Sequence, residues 1–137
     1  VALVLTDALL TVNSVNFSTF CRKVTGTFQI ADLDTTTFGG GGWKSRTGGL
    51  LEGTVTLEGL QSFAASNIDA TLWPLFIAGV PFTIAIRPTS GGKTTTNPEY
   101  TGSALLTAYT PLDAQVGDLD TVTIPMNTSG TWARNTS

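Results

Sequence analysis

The sequence predicts a mainly β protein, an antiparallel β-sandwich or barrel flanked by one short α-helix. Three observations lead there. Apolar and polar residues alternate with a period of two along most of the chain, as half-buried strands require. A single segment, "SNIDATLWPLFIAG", breaks that rhythm in favour of a helix. Turn-forming clusters such as "TSGGK", "TPLDAQVGD" and "NTSG" join the remaining pieces. The 137 residues fit one domain (1–137), with no internal repeat and no dividing linker.

In chain order, "KVTGTFQIAD" places Val24, Phe28 and Ile30 on one strand face. "LEGTVTLEG" follows with Leu51, Val55 and Leu57 on one face and Glu52, Thr54, Thr56 and Glu58 on the other. The helical segment spans Ser66 to Gly79, with Asn67, Asp69 or Thr71 able to cap its start and Gly79 suited to its end. If Thr71 is the N-cap, Pro74 falls in the first turn, where its amide would be unpaired anyway. The result is a short, very apolar helix that must lie against the sheet, or against a second subunit. "PFTIAIRP" then sets Phe82, Ile84 and Ile86 against Thr83, Ala85 and Arg87. "TGSALLTAY" is apolar on both faces and is expected between two layers. "DTVTIPM" closes the series with Val122, Ile124 and Met126 turned away from Thr121 and Thr123. Thr and Val suit a pleated, half-covered surface.

Composition narrows the function. Charged residues are 12% of the chain, about half the usual share of roughly 25%. A surface so poor in charge points to assembly, with a surface solubilised by threonine hydroxyls as the alternative. The net charge of −3 argues against tight nucleic-acid binding, which needs a basic surplus. There is no histidine, so the commonest general base and metal ligand are both missing. The one cysteine, Cys21, allows no intrachain disulfide and is expected to act as a small buried hydrophobe. The opening "VALVLTDALL" is broken by Asp7 and lacks a basic flank, so it is not expected to be a signal peptide. No apolar run reaches the roughly 18 residues of a membrane span, and no membrane partner is expected.

Chemical motifs fall away on inspection. In "GGGGWKS" Trp43 precedes Lys44, where a phosphate loop needs a glycine, and its indole would block the backbone amides. "SGGKTT" supplies Gly92, Lys93 and Thr94, but Arg87 holds the first glycine's place and Pro98 prevents a following helix. Asp32 with Asp34, and Asp118 with Asp120, are carboxylate pairs without a nucleophile or base beside them, better suited to strand ends and turns. The sequons at Asn16, Asn127 and Asn135 are patterns that any chain rich in Ser and Thr produces. No catalytic, cofactor or metal site is expected, and the protein is expected not to be an enzyme.

One stretch remains, "DLDTTTFGGGGWKSRTGG" from Asp32 to Gly49. Four consecutive glycines, Gly39, Gly40, Gly41 and Gly42, hold many backbone conformations, so a flexible loop over about 34–48 is expected. Phe38 and Trp43 bracket the run, and Lys44 and Arg46 follow. Aromatics on a mobile, basic loop suit ordering against a partner protein. Asp34, Phe38, the four glycines, Trp43, Lys44 and Arg46 are therefore candidate subunit or ring contacts; the alternative is a hairpin loop whose aromatics fold back onto the domain.

The run "DLDTTTFGGGGWKSRTGGLLEGTVTLEG" resembles the signature of the tail tube (major tail) proteins of long, non-contractile tailed phages. There an Asp-x-Thr-Thr-Phe-Gly segment leads through an aromatic and basic stretch to a strand ending in an acidic-Gly turn. "IDATLWPLFIAG" resembles the following helix, "PFTIAIRP" the next strand, and "YTGSALLTAYTPLDAQVGDLDTVTIPMNTSG" the last strands. The likeness runs from about Leu10 to Thr131; the unbroken glycine run departs from it, since an acid or Ser often interrupts there. The resemblance implies a β-sandwich with one helix, self-association into hexameric rings, and stacking of rings into a tube through which DNA is ejected without tight binding. It also implies tape-measure, tail-tip and terminator proteins as partners, residence in the virion tail, and synthesis in the host cytoplasm. On that basis Glu52, Thr54, Thr56 and Glu58, or the matching face of "VTGTFQ", are candidates to line the lumen. The competing readings are a capsid decoration or tail terminator protein, and a carbohydrate-binding β-sandwich stacking sugars on Trp43, Trp73 or Trp132.

Overall fold

The computed structural model describes residues 4–65 and 67–137; Ser66, at the head of the expected helical segment, and residues 1–3 lie outside it. Seven strands and one helix follow in the order β1 (Leu9–Val12), β2 (Val15–Asn16), β3 (Cys21–Asp34), β4 (Arg46–Leu60), α1 (Ile68–Ala78), β5 (Phe82–Arg87), β6 (Glu99–Leu106) and β7 (Thr121–Asn135). Every paired neighbour is antiparallel, in the spatial order β2-β1-β5-β6-β7-β4-β3.

These strands make one sheet rather than two stacked ones, and its connectivity forces it to curl. The edge strands β2 and β3 are joined by Phe17–Phe20 alone. A flat sheet of this order would hold its edges about 29 Å apart, whereas that link stretches to about 17 Å at most. The link is shorter still because it turns: the Phe20 and Cys21 amides both donate to the Phe17 carbonyl, at 3.0 Å each. Its two ends are tied to opposite sides of the sheet: the Phe17 amide donates to the Leu10 carbonyl of β1 (2.8 Å), and the Leu60 amide of β4 donates to the Phe20 carbonyl (2.9 Å). The sheet therefore closes most of the way into a barrel, with one core inside.

That core follows the period-two pattern read from the sequence. Leu10 and Val12 of β1, Val55 and Leu57 of β4, Phe82 and Ile84 of β5, Ala104 and Leu106 of β6, and Val122, Ile124 and Met126 of β7 are buried together with Phe17, Ile68 and Leu72. "TGSALLTAY" lies within the sheet, between β5 and β7, rather than between two layers.

Helix α1 begins at the first of the three caps that the sequence offers. Asn67, not Thr71, is the N-cap, and the Thr71 amide already donates to the Asn67 carbonyl (3.1 Å). Asn67 makes no capping bond to the helix; its Nδ2 donates to Ser62 Oγ instead (2.7 Å). Pro74 consequently sits inside the helix, where it removes one backbone hydrogen bond. Packing explains the choice. Ile68 and Leu72, one turn apart, are both buried, and starting the helix at Thr71 would withdraw Ile68 from that stripe. Gly79 ends it in the left-handed conformation, with its amide donating to the Leu75 carbonyl (3.2 Å). The helix covers the core with one face, while Trp73 and Ile77 on the other remain exposed.

Candidate functional site

The longest strands create the features of interest. β3 and β4 form a hairpin of 14 and 15 residues, far beyond the typical strand of about 5–6. Only its lower part belongs to the barrel: β4 pairs with β7 from Leu60↔Thr121 to Thr54↔Asn127 and no further. Beyond that point residues 46–53 of β4 pair with β3 alone, and the hairpin projects as an arm.

Residues expected in the core by alternation are therefore placed on the arm. Phe28, Ile30 and Leu51 share the core-side face but are 51%, 56% and 78% exposed. The alternation was right about the face and wrong about burial, because the body of the domain ends before these residues do.

The glycine run caps the arm. Asp34 ends β3 and Arg46–Gly48 begin β4, so the loop proper is Thr35–Ser45, narrower than expected. Its base is clasped: the Thr35 amide donates to the Ser45 carbonyl (2.9 Å), and the Ser45 amide donates to Thr36 Oγ1 (2.9 Å). The Thr36 amide donates to Asp34 Oδ1 (2.9 Å); bonding from Thr36 holds this carboxylate below its usual pKa. Arg46 pairs with Asp32 across the hairpin. Above the clasp Phe38, Gly39 and Gly40 form a 3₁₀ turn, and Gly41 and Gly42 take left-handed conformations that need glycine. Phe38 and Trp43 do not fold back onto the domain; Phe38 is fully exposed and Trp43 is 81% exposed. Lys44 is also exposed and has no ion-pair partner among the described residues.

The other face of the β3–β4 ribbon is polar, as the sequence implied. Register places Thr25 opposite Thr56, Thr27 opposite Thr54, and Gln29 opposite Glu52, with Lys23 opposite Glu58. Glu58 is paired with Lys23 at 3.7 Å, so that end of the face is charge-balanced. Glu52 has no such partner among the described residues. The candidate lumen residues Glu52, Thr54, Thr56 and Glu58 thus stand together in one row, on the side away from the core.

At the arm's base an open cleft of about 690 Å³ separates it from the upper part of β7, lined by Phe28, Ile30, Leu51, Glu52, Thr128 and Trp132 among others. The sequence showed no sign of it, because it arises where two strands part. Trp132 is held in place by its Nε1, which donates to the Ser103 carbonyl (2.8 Å), and by lying flat where Gly102 has no side chain. Phe28 packs on it at 5.5 Å between ring centroids.

Elsewhere the chemistry is structural. Arg87 and Lys93 converge on the buried Glu99 at 3.2 and 3.5 Å, and Asn97 ties the adjoining turn through Thr89, Gly91 and Gly92. Trp43, Trp73 and Trp132 sit apart, on the arm tip, α1 and β7. Among the described residues no acidic, Cys or His group of metal-binding size occurs, and no helix is long and apolar enough to cross a membrane.

No protein-family model and no curated protein sequence matches this chain. Solved structures share its fold. A chain from the virion of a native gene transfer agent particle superposes with a TM-score of 0.79 at 16% identity, covering 98% of this chain and 99% of the other. A chain from the tail of an empty gene transfer agent particle, reconstructed with C6 symmetry, gives 0.69 at 16% identity, covering 85% and 82%. A third, from the sheath/tube terminator of an extracellular contractile injection system in its extended state, gives 0.71 at 14% identity, covering 98% and 97%. The fold of this chain is that of components of virus-like tails and injection systems.

Proposed function

We propose that the protein is a structural tail component whose copies form six-membered rings stacked into a tube, a conduit for DNA ejected from the virion. The observation that carries this reading is the fold shared over nearly the whole of both chains with a gene transfer agent virion component. The C6 symmetry of a related tail supports six copies per ring. Edge geometry supports a head-to-tail joint. β3 is a 14-residue edge strand with no strand on its outer side among the described residues, and the sheet's other edge is the two-residue β2. Unlike edges joined in sequence close a ring by rotation, and such an exposed edge is a template for pairing.

The polar row Glu52, Thr54, Thr56 and Glu58, with Thr25 and Thr27 beside it, then faces the lumen. Hydroxyls and a slight excess of negative charge let DNA pass without the phosphate neutralisation that would hold it. The glycine-tipped arm reaches a neighbouring copy, and tape-measure, tail-tip and terminator proteins complete the assembly made in the host cytoplasm. Electron microscopy of concentrated protein tests this reading: hollow tubes or six-fold rings are expected. Monomers under all conditions, including added tail-tip complex as nucleus, would count against it. A tail terminator is the second reading, favoured by the injection-system terminator of the same fold. It predicts single rings that never stack.

A further inference from the structure

We propose that the polar face carries a phosphate-binding notch at the foot of β3, where Arg22, beside Lys23, meets a phosphate of the DNA backbone. The inference rests on the reading of this face as luminal and names the level of each ring at which passing DNA is touched.

A bulge makes the notch. The β3–β4 register shifts between Cys21 and Lys23, so that Cys21 and Arg22 together oppose Gly59. A side chain on Gly59 would run into the Phe20 carbonyl, and its absence is what admits the extra residue. Strict alternation would send Arg22 and Lys23 to opposite faces of the sheet. The bulge lets both border one open hollow of about 300 Å³, shared with Glu58, Gly59, Thr121 and Thr123.

Charge selects the ligand. Lys23 is matched by Glu58 at 3.7 Å, whereas Arg22 is exposed and has no ion-pair partner among the described residues. The hollow therefore carries one net positive charge, on a guanidinium whose planar fork fits two phosphate oxygens. Thr123, directly opposite Glu58 and exposed, adds a hydroxyl donor on the same side. Asp120, the next carboxylate along β7, is already engaged through Oδ1 by the Asp113 amide (2.8 Å).

The same face bears its unpaired anion elsewhere. Glu52 stands up β4 from Glu58 by roughly 20 Å. That exceeds twice the Debye length of about 8 Å at physiological salt, so Arg22 and Glu52 act on DNA separately. Around a ring they form a cationic collar at one level and an anionic collar at another. DNA is then touched at the first and repelled at the second, which gives contact without capture.

Retention of a short DNA duplex by tubes tests the notch. At about 10 mM salt native tubes should hold the duplex in a nuclease-protected form and release it by about 50 mM. Arg22→Gln, checked for folding by circular dichroism, should retain about threefold less, while Arg22→Lys stays within about twofold of native. Native tubes that hold no duplex, Arg22→Gln tubes that hold as much as native ones, or equal retention of a duplex with an uncharged methylphosphonate backbone overturn the notch. Retention that depends on Arg22 but stays open to nuclease supports the notch and overturns its place in the channel. A native protein that makes no tubes overturns the tube reading, and the notch is then decided on the unassembled chain by NMR. There the same duplex should shift the amide resonances of Arg22, Lys23 and Thr123 in the native protein and not in Arg22→Gln; unmoved resonances overturn it.

Discussion

Cys21 shows what a residue's setting adds to its identity. The sequence suggested a small buried hydrophobe, and the side chain packs at the edge of the core, in the strand that follows the Phe17–Phe20 link. Burial pushes its thiol from 9.0 up to about 11, so the folded chain holds a proton that the unfolded chain releases more easily. Its contribution to stability is fully present below about pH 9 and is lost as pH rises through about 11. Urea unfolding at pH 8, 9, 10 and 11 should show native stability falling across that window more steeply than in Cys21→Ala. Parallel curves for the two proteins would show that the thiol is already solvated. Tyr109 was not legible as important at all. Its hydroxyl donates to Asp69 Oδ1 (2.8 Å) and accepts from Gln61 Nε2 (3.1 Å), tying α1 to the end of β4. Burial, then the bond to Asp69, pushes it up to about 12. Partners 40 and 48 positions away leave no local signal.

Elements were more legible than their limits. Alternation located the core faces of β4, β5 and β7, because period two reports directly which side a residue points to. It said nothing of where the barrel stops, and so Phe28, Ile30 and Leu51 were expected inside when they stand on the arm. The start of the helix was left open for a different reason. Asn67, Asp69 and Thr71 are all competent caps, and a proline rule that treats the helix alone prefers Thr71. Burial of Ile68 with Leu72 overrides it. A helix held by packing in spite of its proline should gain when the proline is removed. Pro74→Ala restores the amide that can reach the Ala70 carbonyl, and Pro74 is exposed, so little packing is lost. We expect a gain of about 1–3 kcal/mol in chemical denaturation. A loss instead would mean that Pro74 shapes the helix to its seat and that the early start depends on it.

At the scale of the whole molecule, the curl of the sheet was hidden because it depends on pairing between distant strands, while the four-residue link that enforces it looks like any turn. The same long-range arrangement sets Thr25 and Thr27 beside Thr54 and Thr56 and turns all four away from the core. If that face lines a channel, it must combine wetting with indifference to phosphate, and this balance can be upset without disturbing the fold. Thr54→Lys together with Thr56→Lys adds two cations per copy, or about twelve per six-membered ring, on side chains that carry no core packing. Tubes should still assemble. They should now retain short single-stranded DNA that native tubes release, and retention should fall steeply as salt rises from roughly 50 to 200 mM through counterion exchange. Tubes that form but hold no more DNA than native ones would show that this face lies outside the channel. Folded protein that no longer makes tubes would show it to be a joint between copies. DNA retention within intact tubes is the result expected of a luminal surface, because only there do the added charges repeat along the path the DNA takes.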